Sequence, residues 1–287
     1  MSKIRIVTDS TSDLTQELIE QYQIDVLPLT VTLGENSYRD KVDINEDEFY
    51  QMMCATDDFP TTSQIPPVGF VEAYQKLAQE GAEHIISIHL SSELSGTYQS
   101  SVLAAGMVAD QVHVHCIDSR SATIGLGPMV LAAARMAQAG LDIEQIMEQM
   151  EQVVKNTAVY FLIDSLDNLH KGGRIGKASH MVGSLLNLKP ILSLQDGVIS
   201  AYEKIRGNKD NKALERLIDI LEEKIDPDKK LYCAIGYSDS KALERAKRIQ
   251  ERLEGTVDCD EFIYLQIGCV VGAHIGTGAV GMGFYQI

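Results

Sequence analysis

The sequence predicts an α/β protein of two closely packed α/β domains, residues 1–158 and 159–287. The first is built on a mostly parallel sheet, the second on a mixed sheet with helices. Three observations carry this expectation. Short apolar runs alternate with amphipathic stretches through the first half, the pattern of strands joined by crossover helices. Beyond the charged helix DIEQIMEQMEQVVKN the texture changes to loops and polar-alternating strands. No low-complexity linker lies between the halves, so they pack against each other rather than being tethered.

The elements follow in order. KIRIVTD is a short apolar strand, and Asp13 to Tyr22 an amphipathic helix with Thr11, Ser12 and Asp13 as capping candidates. DVLPLTVTL is a second strand region, interrupted by Pro28. PVGFVEAYQKLAQEG reads as a helix with Pro67 in its first turn and Gly81 past its end. HIISIHL and VHVHCID are strands, each followed by a helix, GTYQSSVLAAGMVA and ATIGLGPMVLAAARMAQAG. The second half supplies the short apolar run KPILSL and the strand VISAYEKI. A helix from Lys212 to Lys224, the strand LYCAIGY, a helix from Lys241 to Leu253 and two closing strand regions complete it.

The chain has 287 residues, 45% hydrophobic, with 25 Lys plus Arg against 41 Asp plus Glu and a formal charge of -16. Such a surface repels phosphate backbones, which excludes nucleic-acid binding as the main task and makes any basic cluster conspicuous. MSKIRIVTDS lacks the apolar core and cleavage pattern of a signal peptide, and no apolar run approaches a membrane span, so a cytoplasmic protein without a span is expected. The five cysteines are odd in number, dispersed and without a CxxC, which predicts reduced, buried thiols.

Several familiar signatures fail on spacing. GTGAVG, Gly276 to Gly281, satisfies GxGxxG, but only six residues follow, too few for the helix and strand of a dinucleotide site. GGRIGKAS has three residues between Gly172 and Gly176, and Ala178 where a P-loop needs a hydroxyl. VTDST lacks the second carboxylate of an aspartyl-phosphate site, and GYSDS lacks the second glycine of a nucleophile elbow. His113 and His115 alternate on one strand and face one side as two metal ligands would, but without a third ligand nearby they read as ordinary strand histidines. A Ser-His-Asp triad assembled in space stays open, since triads are not defined by sequence order.

Three features remain. In FPTTSQIPPVGF the hydroxyls Thr61, Thr62 and Ser63 precede a helix, as N-caps or as ligand contacts. In ISIHLSSELSGTYQSS a strand ends in a Ser-Gly-Thr turn at a helix start. There Ser95, Gly96 and Thr97 present backbone N–H groups and a positive dipole end, at the carboxyl end of a parallel strand where open α/β sheets bind ligands. Ser91 and Ser92 shape the turn, and Ser100 and Ser101 lie in the helix. The third feature is a set of cations, His170, Lys171, Arg174 and Lys177, then Lys204, Arg206, Lys209 and Lys212, with His274 near the end. Together the three suggest an anion site between the halves.

At these residues the sequence resembles the DegV family, fatty-acid-binding proteins that serve bacterial fatty acid kinase. The similarity runs through IVTDSTSDL, TTSQIP, ISIHLSSELSGTYQSS, IDSRSATIGLG, LHKGGRIG, LKPIL, the Arg206 segment and VGAHIGTGAVG, nearly the whole chain. It implies a lipid tunnel between the two domains holding one long-chain fatty acid. The carboxylate would be bound by Thr62 of the TSQ motif and Ser95 of the LSG motif, with Gly96 and Thr97 at the helix start and His274 of the HxGxG turn. Arg206 and Arg174 would assist phosphotransfer by a partner. Thr277 stands where a proline is common, and the prolines of QIPP depart from the usual QPS form.

The resemblance further implies that the chain is not itself an enzyme and needs no cofactor beyond its bound fatty acid. It would present the carboxylate to the ATP-binding subunit of a fatty acid kinase, with transient membrane contact at most. Two readings from other classes stay open on the residues alone. One is a small-molecule hydrolase or transferase using Ser95 with His274 as base; the other is a phosphate- or sugar-binding module using the same cradle.

Overall fold

A computed structural model describes residues 3–181, 188–206, 210–254 and 256–287, and its architecture is the expected α/β one. In chain order the strands are β1 (Ile4–Asp9), β2 (Ile24–Leu27), β3 (Thr30–Leu33), β4 (Asn36–Arg39), β5 (Thr61–Ser63), β6 (His84–His89), β7 (His113–Asp118), β8 (Ala158–Leu162), β9 (Leu188–Gln195), β10 (Val198–Arg206), β11 (Leu231–Tyr237), β12 (Cys259–Gln266) and β13 (Val280–Gln286). The helices are α1 (Gln16–Tyr22), α2 (Glu46–Ala55), α3 (Pro67–Gln79), α4 (Thr97–Met107), α5 (Leu126–Gln138), α6 (Ile143–Asn156), α7 (Asp167–Lys171), α8 (Asp210–Lys224), α9 (Ser240–Leu253) and α10 (Cys269–Ile275).

The first sheet is wholly parallel, in the order β2-β1-β6-β7. Parallel neighbours need a crossover, and α1 supplies it between β1 and β2, α4 between β6 and β7. The central strands are covered on both faces, which is why Val7, Ile85, Ile86 and Ile88 are all buried and apolar. The second sheet runs β10-β9-β8-β13-β11-β12, antiparallel except for the parallel pair β11 and β12. A division into 1–158 and 159–287, proposed from the sequence, falls at the start of β8, where this second sheet begins.

Helix α5 explains why the halves pack so closely. Leu126 to Ala134 is buried all round, a property of helices enclosed by protein on every side. It packs against β1 and β6 of the first sheet and β11 of the second. One core therefore contains Ile86, Val130, Ala234 and Leu265 together.

A small third sheet, β4-β3-β5, is antiparallel and was not expected. TTS forms β5, with Thr62 opposite Val31, rather than the cap of the next helix. Helix α3 starts after Pro66 without a side-chain cap, because Pro67 in its first turn already fixes φ and removes one orphan donor. The thiol expectation also needs correction: Cys233 and Cys269 are buried, but Cys54 is exposed on α2, and Cys116 and Cys259 are partly exposed. Among the described residues no helix is long and apolar enough to cross a membrane.

Candidate ligand-binding site

Past the carboxyl ends of β2, β6 and β7, the residues Leu29, Leu90 and Ala122 begin the wall of a cavity of about 370 Å³ between the sheets. Its remaining wall is largely apolar, with Ile124, Phe161, Val271 and Ile275 among the contributors. The hydrogen-bonding groups gather from strand β5, the turn before α4, the loop after α7 and the short helix α10.

Strand β5 brings Thr62 to the cavity, and its Oγ1 lies 2.9 Å from Nε2 of His274 on α10. Ser95 stands in the turn before α4, its Oγ 2.9 Å from the Thr97 hydroxyl and accepting the Thr97 N–H at 3.3 Å. The N-cap of α4 is Gly96, without a cap of its own, so the Ser95 hydroxyl performs that task from one residue earlier. Gln64, just past β5, ties that segment to α4 by donating to Ser100 Oγ at 3.0 Å. A Cβ on Gly96 would lie 2.1 Å from Gln64 Oε1, so this approach requires glycine or a displaced glutamine.

His274 is the electrostatic centre. Burial first, and the neighbouring Arg174 charge second, hold its pKa down to about 4, so the ring is neutral at physiological pH. Nδ1 is buried and has no hydrogen-bond partner among the described residues. Gly172 backs it closely, since a Cβ there would lie 2.3 Å from Nδ1. Arg174 also lines the cavity. Its Nε donates to Leu94 O at 3.2 Å and its Nη1 to Gly172 O at 2.8 Å, leaving Nη2 without a partner among the described residues. At the far end of α10, the Cys269 N–H donates to the buried Asp40 carboxylate at 3.2 Å, anchoring the helix that carries His274. The arrangement offers two hydroxyls, a neutral imidazole and a fixed guanidinium beside a largely apolar space.

The structure thus brings together Thr62, Ser95, Gly96, Arg174 and His274, which span the chain from β5 to α10. Thr97 is buried behind Ser95 and does not line the cavity. Arg206 and Lys204 are exposed on β10 and do not line it either, and His170, Lys171, Lys177 and Lys212 are exposed. Lys209 lies outside the described residues. Gln64 and Gly172 are members of the site that residue-type reasoning passed over; their neighbours in TTSQ and HKGGR were the available signal.

A model of the family described as uncharacterised protein, DegV family, matches residues 3–286. The chain belongs to the DegV family. It is 39% identical over 287 residues to a DegV domain-containing protein of Caldanaerobacter subterraneus, covering 100% of both chains. Two solved DegV structures superimpose over the full length of both chains at 34% identity. One is a Thermus thermophilus protein described for its fatty acid binding (TM-score 0.92), the other DegV of Bacillus subtilis, described as a fatty acid binding protein (TM-score 0.90).

The hydrolase alternative can be weighed against this DegV geometry. A Ser-His-Asp arrangement does exist, but not at the cavity: Ser87 Oγ is 2.6 Å from His89 Nε2, and His89 Nδ1 2.9 Å from Asp9 Oδ2. All three residues are fully buried, and Ser87 is also bonded to Tyr74 OH at 2.7 Å, so no substrate reaches them. At the cavity, His274 Nε2 meets Thr62 rather than Ser95, whose hydroxyl is engaged with Thr97. His113 and His115 share a face with His84, with His84 Nδ1 3.2 Å from His115 Nε2. Among the described residues no group of three such side chains is arranged to hold a metal ion.

Proposed function

We propose that this DegV family member binds one long-chain fatty acid in the cavity and presents its carboxylate to a separate ATP-dependent kinase for acyl-phosphate formation. The observation that carries the reading is the cavity's lining: mostly apolar walls, with a polar cluster in which Thr62 meets His274 and Arg174 lies beside His274 and bonds Leu94, the neighbour of Ser95. Two full-length structural relatives described as fatty-acid-binding support it.

The energetics are consistent. Sixteen carbons include about 14 methylenes at about 0.8 kcal/mol each, a gross transfer of about 11 kcal/mol. Lost association and chain freedom remove on the order of 4 kcal/mol or more. An unpartnered carboxylate would cancel much of the remainder, so the hydroxyls and the guanidinium decide whether binding succeeds. Neutral His274 can donate to a carboxylate oxygen without adding a second buried charge beside Arg174.

For presentation to a kinase, Lys204 and Arg206 are exposed cations in a chain of net charge -16, suited to orient an acidic partner surface or a transferring phosphoryl group. Solvent extraction of the purified protein followed by mass spectrometry tests the first half: near-stoichiometric fatty acid is expected, and lipid-free protein that reacts with a serine-directed probe at Ser95 would favour the hydrolase. For the second half, Arg206→Glu is expected to lower acyl-phosphate formation with a cognate kinase while lipid content stays constant. Unaltered kinase coupling would remove Arg206 from the mechanism.

A further inference from the structure

We propose that Val159 and Leu194 form the wall that limits the length of the acyl chain, and that a methionine-lined cavity behind them receives the tail of a longer chain when the wall is thinned. The inference rests on the fatty-acid reading of the first cavity.

A second cavity of about 550 Å³ adjoins the first, and Val159 and Leu194 line both. They belong to adjacent strands. Continuing the β8–β9 register in which Tyr160 pairs with Ser193, Val159 and Leu194 stand opposite each other on one face. Val159 is 4% exposed and closely confined, its Cγ2 lying 2.7 Å from where a Cβ on Gly125 would be. The wall is therefore two opposed side chains fixed by the sheet, not a loop that can move aside.

Direction follows from polarity. Thr62, Ser95, Arg174 and His274 all line the first cavity and none lines the second. A chain anchored there by its carboxylate can reach the second cavity only tail first. The space it would enter is lined by Met129, Met147 and Met150 with Ile117 and Val154. Methionines are unbranched and polarisable, and they adapt to chains of different lengths better than branched residues do. The charged residues Asp118, Arg120, Glu151, Lys155 and Asp196 also border this cavity, so an acyl tail would stay among the methionines on its apolar side.

The test loads delipidated wild type, Val159→Ala, Leu194→Ala and Val159→Phe with an equimolar mixture of saturated fatty acids of graded length. The bound acids are then extracted and quantified by mass spectrometry. Both alanine variants are expected to shift the profile toward longer chains. The gain is about tenfold for a chain two methylenes longer, at about 0.8 kcal/mol per buried methylene. Val159→Phe is expected to shift it toward shorter chains, and Met147→Phe added to Val159→Ala to cancel the gain by filling the second cavity. Wild-type length profiles in variants that still bind lipid would overturn the wall, as would a Val159→Ala shift that survives Met147→Phe. Should Val159→Ala fold poorly, Leu194→Ala and Val159→Phe decide the question alone. A wild type that takes up no fatty acid at all would instead overturn the fatty-acid reading.

Discussion

His89 and His274 each meet a hydroxyl group inside the protein, yet they sit in opposite surroundings. Around His89 every partner is present: donors run consistently from Tyr74 to Ser87, to His89, to Asp9, whose carboxylate also accepts the Thr11 and Leu90 N–H groups. All of these side chains are sealed from solvent, and His89 packs edge-on against Phe70. Around His274 the set is incomplete among the described residues: Nε2 has Thr62, Nδ1 has no partner, and Arg174 beside it keeps unused hydrogens at a cavity. The first centre has the residue types of a catalytic triad and the environment of a structural strut. The second has an unremarkable residue list and the unmet hydrogen bonds of a binding site. Unsatisfied polarity beside open space, rather than side-chain identity, distinguishes the candidate site from the structural support here.

The largest expected effect lies on the sealed side. His89→Ala should cost about 3–5 kcal/mol in urea denaturation, because it leaves Asp9 and Ser87 buried without their partner and opens a void. A loss under about 1 kcal/mol would end the description of this chain as a strut.

Next comes the pH dependence of the open side. His274 titrates near 4 in the fold and near its ordinary 6.5 when unfolded. Below 6.5 the unfolded chain takes up a proton that the folded one refuses, so stability is full above that pH and falls as pH drops toward 4, by at most about 3 kcal/mol. Denaturation of ligand-free protein across this window should show His274→Gln losing less than wild type does. Parallel curves for the two proteins would mean that the ring is not held neutral by burial.

Third, Thr62→Ala with Ser95→Ala should weaken fatty-acid binding by about 1–3 kcal/mol, read by competition with a fluorescent fatty acid, while the melting temperature barely moves. Retention equal to wild type would remove both hydroxyls from the site. The smallest effect is expected for Gly96→Ala, which displaces only the end of the Gln64 side chain. A stability cost of up to about 1 kcal/mol and a severalfold affinity loss are expected as the two segments separate. A much larger cost would show that the Gln64 to Ser100 tie is rigid.

Much of the site could be read from the chain because its local parts are local in cause. The Ser95-Gly96-Thr97 turn follows from a strand ending where a helix begins, and both elements have clear periodicity. Thr62 stood out as a hydroxyl before a helix, although its real setting is a three-residue strand, too short to show alternation and dependent on pairing with β3. The cations could not be sorted by sequence. Arg174 and Arg206 are of one type, and only the folded chain shows the first tied to Leu94 and Gly172 at the cavity and the second exposed on β10.

By itself, then, the sequence determined the α/β class, most of the longer strands and helices, the parallel first sheet and the family, because hydrophobic periodicity, helix-end residues and motif spacing are properties of neighbouring residues. The tertiary structure decided which polar groups find partners. It placed Thr62 against His274 across 212 positions and closed the Asp9–His89–Ser87 chain away from solvent. It also enclosed α5 between two sheets and stood Val159 beside Leu194 at the border of two cavities. Burial and hydrogen-bond satisfaction depend on what distant segments bring to the same place, and that information is absent from any local stretch of the chain.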